Sequence, residues 1–186
     1  MPSIRLGLIA LACVAAFADR ASAQNSQPEE IYVARSVREA RVPATEFCSS
    51  ERTGFNAATE DRFTFRSIAL NLEGRMTNAN VQMVGDLHAC FSSLSGNQIL
   101  FYAEGQLPGV SFKGLGDCLI IKLSFPEKGI NTHRCWLDLS DLPAQYAGGV
   151  LTTNTLNSVS NLLGTETFPT GYTQVSIATV RLWKKK

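Results

Sequence analysis

The feature that most limits the fold of this 186-residue chain is an alternation of apolar and polar residues, repeated in short segments between Val81 and Leu139. The first segment has odd-numbered apolar residues with polar residues between them: Val81, Met83, Leu87, Ala89 and Phe91, with Gln82, Asp86 and His88. A period of two residues is typical of a β-strand with one buried face, whereas a helix repeats every 3.6 residues. The segment therefore predicts a half-buried strand.

Three more segments of this kind follow, and turn-forming residues separate them. The breaks are Ser92–Asn97, Leu107–Gly109 and Pro126–Gly129. Connections this short join antiparallel neighbours, because a parallel return needs a crossover of about a dozen residues or more. We therefore predict a meander, in which Leu115, Leu119 and Ile121 share one phase and face the core.

The apolar phase also predicts how the first two of these strands pair. If their apolar sides face the same way, Phe91 lies near Ile99 and Ala89 lies near Phe101. His88 is then near Tyr102, and Asp86 is near Glu104. A slip of one residue would mix the buried and exposed faces, so the pattern favours this register.

The whole chain contains about seven or eight such segments and no convincing long helix. In residues 61–73 the apolar positions change phase around Arg66–Ser67, which predicts a β-bulge that curves the sheet. The fold class we predict is all-β, an antiparallel meander that closes into a small barrel of calycin-like architecture, with a β-sandwich as the alternative. The G-x-W motif of lipocalin-like barrels is absent, so this likeness concerns architecture only.

The first 23 residues have the layout of a secretory signal peptide. A positive start, Met1–Arg5, precedes the apolar run Leu6–Phe17, and Ala21–Ala23 forms a small-residue cleavage site. The apolar run is too short to span a bilayer. We therefore predict a signal peptide at 1–23, a lead-in at 24–60 tied by Cys48, and a single β-barrel domain at 61–186. The protein would be secreted or periplasmic after cleavage near Ala23–Gln24.

Four cysteines follow the leader: Cys48, Cys90, Cys118 and Cys135. An even number in an exported chain predicts two disulfides. Cys118 and Cys135 flank one hairpin turn, which favours pairing them and leaves Cys48 for Cys90. The phase of Leu119 and Ile121 puts Cys118 on the other face, however, so this pairing needs a bulge near Pro126; otherwise Cys48 takes one of the two.

Charge and motifs exclude several classes of function. The net charge is +1, which does not support a general nucleic-acid surface. The sequence has no G-x-S-x-G, phosphate loop, H-E-x-x-H or dinucleotide fingerprint, and no C-x-x-C pair that would suggest zinc. We therefore predict no metal, no cofactor and no membrane span, and the sequence favours a non-enzyme.

Six residues of the central stretch are candidates for ligand binding: Asp86, His88, Tyr102, Glu104, Arg134 and Trp136. An Asp–His pair can support general base chemistry, and a stacked Arg–Trp pair can hold an anion or a flat ligand. The simpler interpretation is that the first pair lines a solvent-facing strand surface and the second is ordinary cross-strand packing.

Three functions remain open at this stage. The first is an exported, disulfide-stabilised barrel that binds a small apolar or amphipathic ligand. The second is an interaction or inhibitor domain that presents loops, especially Asn157–Gly171, to an extracytoplasmic protein. The third is a cofactor-free enzyme that uses His88 or His133.

Overall fold

The structure is a computed structural model that describes residues 29–70, 72, 76–77, 81–122, 130–158 and 174–186. The strands are β1 (Glu29–Pro43), β2 (Ala57–Arg66), β3 (Ala69–Leu70), β4 (Met76–Thr77), β5 (Met83–Ser92), β6 (Gln98–Leu107), β7 (Val110–Lys122), β8 (Ile130–Ser140), β9 (Tyr146–Ser158) and β10 (Gln174–Lys184). A 3-10 turn, Glu46–Cys48, and a four-residue helix, α1 (Ser50–Thr53), connect β1 to β2. No helix among the described residues is long and apolar enough to cross a membrane.

Eight of these strands form a closed antiparallel barrel. Going around it, the order is β1, β2, β5, β6, β7, β8, β9 and β10, and β10 pairs with β1 again. The strands β3 and β4 form a separate two-stranded sheet within the β2–β5 connection. The prediction of an all-β meander that closes into a small barrel is confirmed, and the alternative of a β-sandwich is wrong.

The barrel is closed by its first and last strands. β1 pairs with β10 from Glu29 opposite Trp183 to Ser36 opposite Ser176. Arg181 contacts Glu29 at 2.7 Å, and Lys184 lies 3.1 Å from Glu30. Closure removes the unpaired strand edges, which could otherwise pair with the strands of other protein molecules. β1 is therefore a barrel strand, although it lies within the range 24–60 that was predicted as a lead-in.

One half of the barrel interior is filled by apolar side chains. This is the end where the β6–β7 and β8–β9 turns lie, and the buried inward residues include Phe65, Leu107, Val110, Phe112, Leu137, Leu139, Leu151, Val180 and Leu182. Each of the large aliphatic and aromatic side chains buried here contributes about 1.5–3 kcal/mol relative to exposure. This half is the hydrophobic core of the protein.

The register between β5 and β6 differs from the predicted one by two residues. Phe91 pairs with Phe101, Ala89 with Ala103, and His88 with Glu104. A shift of two preserves which face each side chain occupies, so the predicted phase is correct although the partners are not. The apolar phase decides the face, but the length of the turn after Ser92 decides which partners meet.

The face of β7 is the opposite of the predicted one. Leu115, Leu119 and Ile121 point out of the barrel and are 53%, 47% and 43% exposed. The inward positions include the small residues Gly114 and Gly116. A Cβ atom at Gly116 would lie 1.9 Å from the carbonyl oxygen of Trp136, so the strands approach too closely there for any side chain. Available space, rather than hydrophobicity, selects the inner face of this strand.

The orientation of β7 also decides the disulfide pairing. Cys118 lies on the inward phase and directly opposite Cys135 on β8, with a Cα–Cα distance of 3.9 Å. The bulge that the predicted phase required is therefore unnecessary. The other disulfide joins Cys48 to Cys90. The favoured pairing is confirmed, and both bridges are buried.

The segment between β1 and β2 folds back over the outside of the barrel. The Cys48–Cys90 disulfide ties it to β5, and Phe47 and Phe55 pack with Tyr102 around this bridge. The helix α1 ends at Gly54, whose φ of 75° favours glycine. This segment, residues 44–56, is called the outer layer below.

Candidate functional site

The other half of the barrel interior contains a cavity of about 440 Å³. It lies at the end where β1 finishes and the β5–β6 turn begins, and Thr59, Ser92 and Ile99 line its rim. Leu87 and the Cys118–Cys135 disulfide line its inner part, next to the hydrophobic core. We call this space the mouth cavity. Its volume falls within the range of small-molecule sites, about 300–1,000 Å³.

One wall of the mouth cavity carries two arginines and a buried aspartate. The side chain of Asp61 is fully buried and accepts two hydrogen bonds from Arg41, at 2.7 Å from Nε and 2.6 Å from Nη2. Arg38 Nη1 lies 3.8 Å from the same carboxylate. A bidentate Arg–carboxylate pair is a strong, directional contact, and it compensates the burial of Asp61.

A β-bulge brings both arginines into the cavity. The register between β1 and β2 shifts between Arg38 and Ala40, which leaves Glu39 as the extra residue. Regular alternation would place residues 38 and 41 on opposite faces, but the inserted residue returns Arg41 to the inner one. Glu39 contacts Thr64 and Arg66 on the outer surface.

The next wall is aromatic. The rings of Phe91 and Phe101 stack with centroids 4.6 Å apart, and Phe63 meets Phe91 edge to face at 6.5 Å. All three line the cavity, and we call them the aromatic wall. Aromatic pairs in these geometries are favourable beyond the area they bury. The wall offers a flat apolar surface within the same space as the Arg38 and Arg41 charges.

The far side of the cavity is polar but uncharged. Thr155 and Ser176 share a buried hydrogen bond of 2.8 Å, and His133 lies beside them on β8. Burial, together with the positive charges of Arg41 and Arg38, lowers the pKa of His133. The imidazole is therefore neutral at neutral pH and can donate or accept a hydrogen bond.

The charges of the cavity do not cancel. Asp61 raises the pKa of Arg41, whereas burial and the neighbouring Arg41 lower the pKa of Arg38, which Asp61 offsets in part. Both guanidinium groups remain charged, because arginine does not lose its proton in proteins. Two positive charges therefore face one negative charge, and the described residues of the lining carry one excess positive charge.

The six residues proposed from the sequence lie outside the barrel, not in this cavity. Asp86 is exposed and faces solvent on β5, and Arg134 is exposed on β8. Trp136 is 49% exposed and donates a hydrogen bond to Asp138 at 3.1 Å. Neither the Asp86–His88 hydrogen bond nor an Arg134–Trp136 stack is present in the described part of the chain.

His88, Tyr102 and Glu104 do meet, but under the outer layer. Tyr102 donates a hydrogen bond to Glu104 at 2.5 Å, and His88 Nε2 hydrogen-bonds to Glu60 at 2.6 Å. The imidazole of His88 stacks on Phe47 with centroids 3.5 Å apart. These contacts attach the outer layer to the barrel wall.

Glu60 is the buried acid of this outer cluster. Only 1% of its side chain is exposed, and it accepts hydrogen bonds from the backbone and hydroxyl of Thr45. Burial alone would raise the pKa of Glu60, but the hydrogen bonds with Thr45 and His88 outweigh it and lower the pKa. The ionised carboxylate thus stabilises the segment that follows β1.

The sequence reasoning missed three of the four titratable residues of the mouth cavity: Arg38, Arg41 and Asp61. The fourth, His133, was considered only as a catalytic residue. One signal was present: Asp61 shares the phase of Phe63 and Phe65, so it is a charged residue on a face that is otherwise apolar. A charge on a buried phase indicates a partner or a ligand, because an unpaired buried charge is too costly.

Compared with protein-family models, curated proteins and solved structures, the chain shows no significant match. Within the described ranges, no group of three or more His, Cys, Asp or Glu side chains is placed to hold a metal ion.

Proposed function

We propose that this protein is an exported, disulfide-stabilised barrel that binds a small amphipathic ligand in the mouth cavity. The observation that supports this most directly is a cavity of about 440 Å³ with an aromatic wall on one side and partly buried charge on another. A ligand site typically combines apolar walls with a few polar groups that orient the ligand.

The size of the cavity limits the ligand. A water molecule occupies about 30 Å³ in the liquid, so the cavity has room for about fifteen groups of that size. A one- or two-ring compound, or a short aliphatic chain, fits this space. The second half of the barrel is filled by the hydrophobic core, so a long acyl chain would have to extend out of the mouth.

A neutral fluorescent probe tests whether the cavity binds ligands at all. Acdan, a neutral probe with a two-ring naphthalene body, shifts its emission to shorter wavelength in apolar surroundings, and we expect saturable binding to the oxidised protein. Ile99→Trp fills part of the rim, and we expect it to weaken probe binding at least about tenfold, a change of about 1.4 kcal/mol.

Leu100→Trp is the matched control, because the adjacent side chain is 44% exposed on the outside of the barrel. It should leave the probe affinity within about twofold of the native value. Equal losses in both variants, or no saturable binding to the native protein, would contradict the proposed site.

Export is the second part of this proposal. It is supported by the leader pattern at 1–23, which lies outside the described residues, and is compatible with two buried disulfides. N-terminal sequencing of the protein recovered from the exported fraction should begin at Gln24. A chain that stays in the cytoplasm with its leader and four free thiols would refute export.

The two other functions stay predictions. Beyond Ser158, the loop Asn157–Gly171 suggested for partner binding lies outside the described residues. An enzyme that uses His88 or His133 has no further support, since His88 is engaged with Glu60 and Phe47. His133 lies in the mouth cavity, where it is neutral and serves equally well as a hydrogen-bonding group for a bound ligand.

A further inference from the structure

We propose that the ligand of the mouth cavity carries a single carboxylate, which the guanidinium of Arg38 binds while an aromatic or short apolar body packs on the aromatic wall. This inference rests on the proposed function and adds the chemical class of the ligand. It follows from the different contacts that the two arginines of the cavity make with Asp61.

Arg41 is already hydrogen-bonded to a carboxylate of the protein itself. Its Nε and Nη2 atoms both donate to Asp61, so the fork that would hold a ligand carboxylate is occupied by a protein carboxylate. The Asp61 side chain has no exposed surface and cannot move into solvent to release Arg41. Arg41 and Asp61 together form a neutral pair in the wall of the cavity.

Arg38 is differently placed. Its nearest carboxylate oxygen is 3.8 Å away, beyond hydrogen-bonding distance, and the guanidinium makes no hydrogen bond to any described residue. The side chain lines the cavity and is 30% exposed. A guanidinium presents five N–H donors in a planar fork that matches a carboxylate. Among the described residues, Arg38 thus offers an anion-binding group without a hydrogen-bonded acceptor, beside the aromatic wall.

The charge balance favours one negative charge on the ligand. Within the part of the chain that the structure describes, the lining contains two arginines and one aspartate, and the neutral His133 adds no charge. A monoanion neutralises the excess charge, whereas a cation would be repelled. A dianion would bring one uncompensated charge into a partly buried site, which is unfavourable.

Arg38 also lies next to the aromatic wall in the sheet. It is directly opposite Phe63 across the β1–β2 pair, and Phe63 contacts Phe91. A ligand whose carboxylate engages Arg38 would therefore have its body within reach of the phenylalanine rings. This arrangement favours a carboxylate attached directly, or by a short linker, to an aromatic or compact apolar group.

Two isosteric ligands test the inference: naphthoate, which is an anion, and naphthamide, which is neutral and has nearly the same shape. Both have a two-ring body that fits the cavity volume. Calorimetric titration of the oxidised protein should give naphthoate an affinity at least about tenfold higher than that of naphthamide, as expected for a charge-assisted hydrogen bond.

Arg38→Gln should reduce this ratio to about one by weakening naphthoate alone, with naphthamide unchanged. Arg62→Gln is the matched control, because it removes the same charge from the outer face of β2, where the side chain is 68% exposed. The control should keep the native ratio. Arg38→Lys retains the charge but not the planar fork, so its naphthoate-to-naphthamide affinity ratio should lie between those of Arg38→Gln and the control. A thermal melt of each variant verifies folding.

The outcomes separate the two proposals. If the neutral probe binds but naphthoate and naphthamide bind equally, the carboxylate inference is wrong and the ligand-binding barrel stands. If Arg38→Gln and Arg62→Gln weaken naphthoate to the same extent, the effect is one of overall charge, and the role of Arg38 is refuted. Tighter binding of naphthyl phosphate than of naphthoate would overturn the preference for a monoanion.

Discussion

Asp61 is a fully buried carboxylate in the barrel interior. The fold can bury this negative charge because Arg41 forms an ion pair with it. Removing one partner of such a pair usually costs more than the pair contributes, because the other charge is left without compensation. Here the guanidinium is 51% exposed, so water screens part of the interaction. The pair also links β1 to β2 in the wall of the mouth cavity.

We expect Arg41→Gln to lower the free energy of unfolding by about 2 kcal/mol, less than the 3–5 kcal/mol of a fully buried pair because of this screening. Urea denaturation would measure the loss. The double variant Arg41→Gln with Asp61→Asn should recover part of it, since the buried carboxylate that Arg41→Gln leaves without its partner is then removed. A double variant less stable than the sum of the two single changes would contradict this account.

His133 makes stability depend on pH. In the unfolded chain it protonates near its ordinary pKa of about 6.5, whereas in the barrel burial and the charges of Arg41 and Arg38 lower that pKa. The unfolded state therefore binds the proton first, and stability is lost as the pH falls from about 6.5 towards the folded pKa. Asp61 is the nearby acid of the cavity, and it is engaged by Arg41.

As the pH falls below about 6.5, we expect the free energy of unfolding to decrease less for His133→Gln than for the native protein. Above about pH 7 the difference between the two should be constant, because the imidazole is neutral in both states. Urea unfolding across this pH range would measure it. Parallel stability curves down to low pH would show that His133 does not titrate as described.

At the scale of elements, each disulfide supports a different part of the fold. Cys118–Cys135 joins two neighbouring strands and lines the mouth cavity, whereas Cys48–Cys90 holds the outer layer against β5. The outer layer has a small apolar cluster of its own, around Phe47 and Tyr102. The outer layer therefore depends more strongly on its disulfide than β7 and β8 do on theirs, because those strands are also paired through backbone hydrogen bonds.

Replacing each disulfide by two alanines should destabilise the protein according to the length of chain that it closes. With sequence separations of 42 residues for Cys48–Cys90 and 17 for Cys118–Cys135, the chain-entropy relation gives losses of about 4 and about 3 kcal/mol. Thermal and urea unfolding would measure them. A larger loss for the Cys118–Cys135 variant would show that packing in the barrel wall, not loop closure, sets the contribution.

At the scale of the whole molecule, the barrel exists only when its first and last strands meet. Glu29 and Arg181, which are 152 residues apart, form one of the contacts that join β1 to β10. Ordering so long a chain before its closing contacts form is entropically costly. The fold therefore depends on pairings that are distant in sequence.

We expect this topology to fold slowly, in about milliseconds to seconds, as all-β proteins with distant pairings do. Stopped-flow fluorescence of Trp136 and Trp183 after dilution from urea, with the disulfides intact, would measure the rate. Trp183 pairs with Glu29 across the closing strands, so Trp183→Phe should remove the signal of closure. Folding complete within microseconds would contradict this expectation.

The class of fold can be predicted from local patterns in the sequence. Alternation is a local property of each strand, and the short breaks after Ser92, Leu107 and Phe125 force neighbouring strands to be antiparallel. The even set of cysteines likewise indicated two disulfides. The inner face of β5 was also readable, because Leu87, Ala89 and Phe91 leave no ambiguity about the buried phase.

The inner face of β7, the register of β5 with β6 and the place of the site depend instead on contacts between strands in the folded barrel. In a narrow barrel the inner face belongs to residues that fit, so Gly116 lies inside while Leu115 lies outside. The mouth cavity gathers Arg38, Asp61 and His133 from three strands, which closure brings together across the chain. No local sequence pattern predicts that these residues lie close together, because their proximity depends on the bulge after Arg38 and on contacts between distant strands.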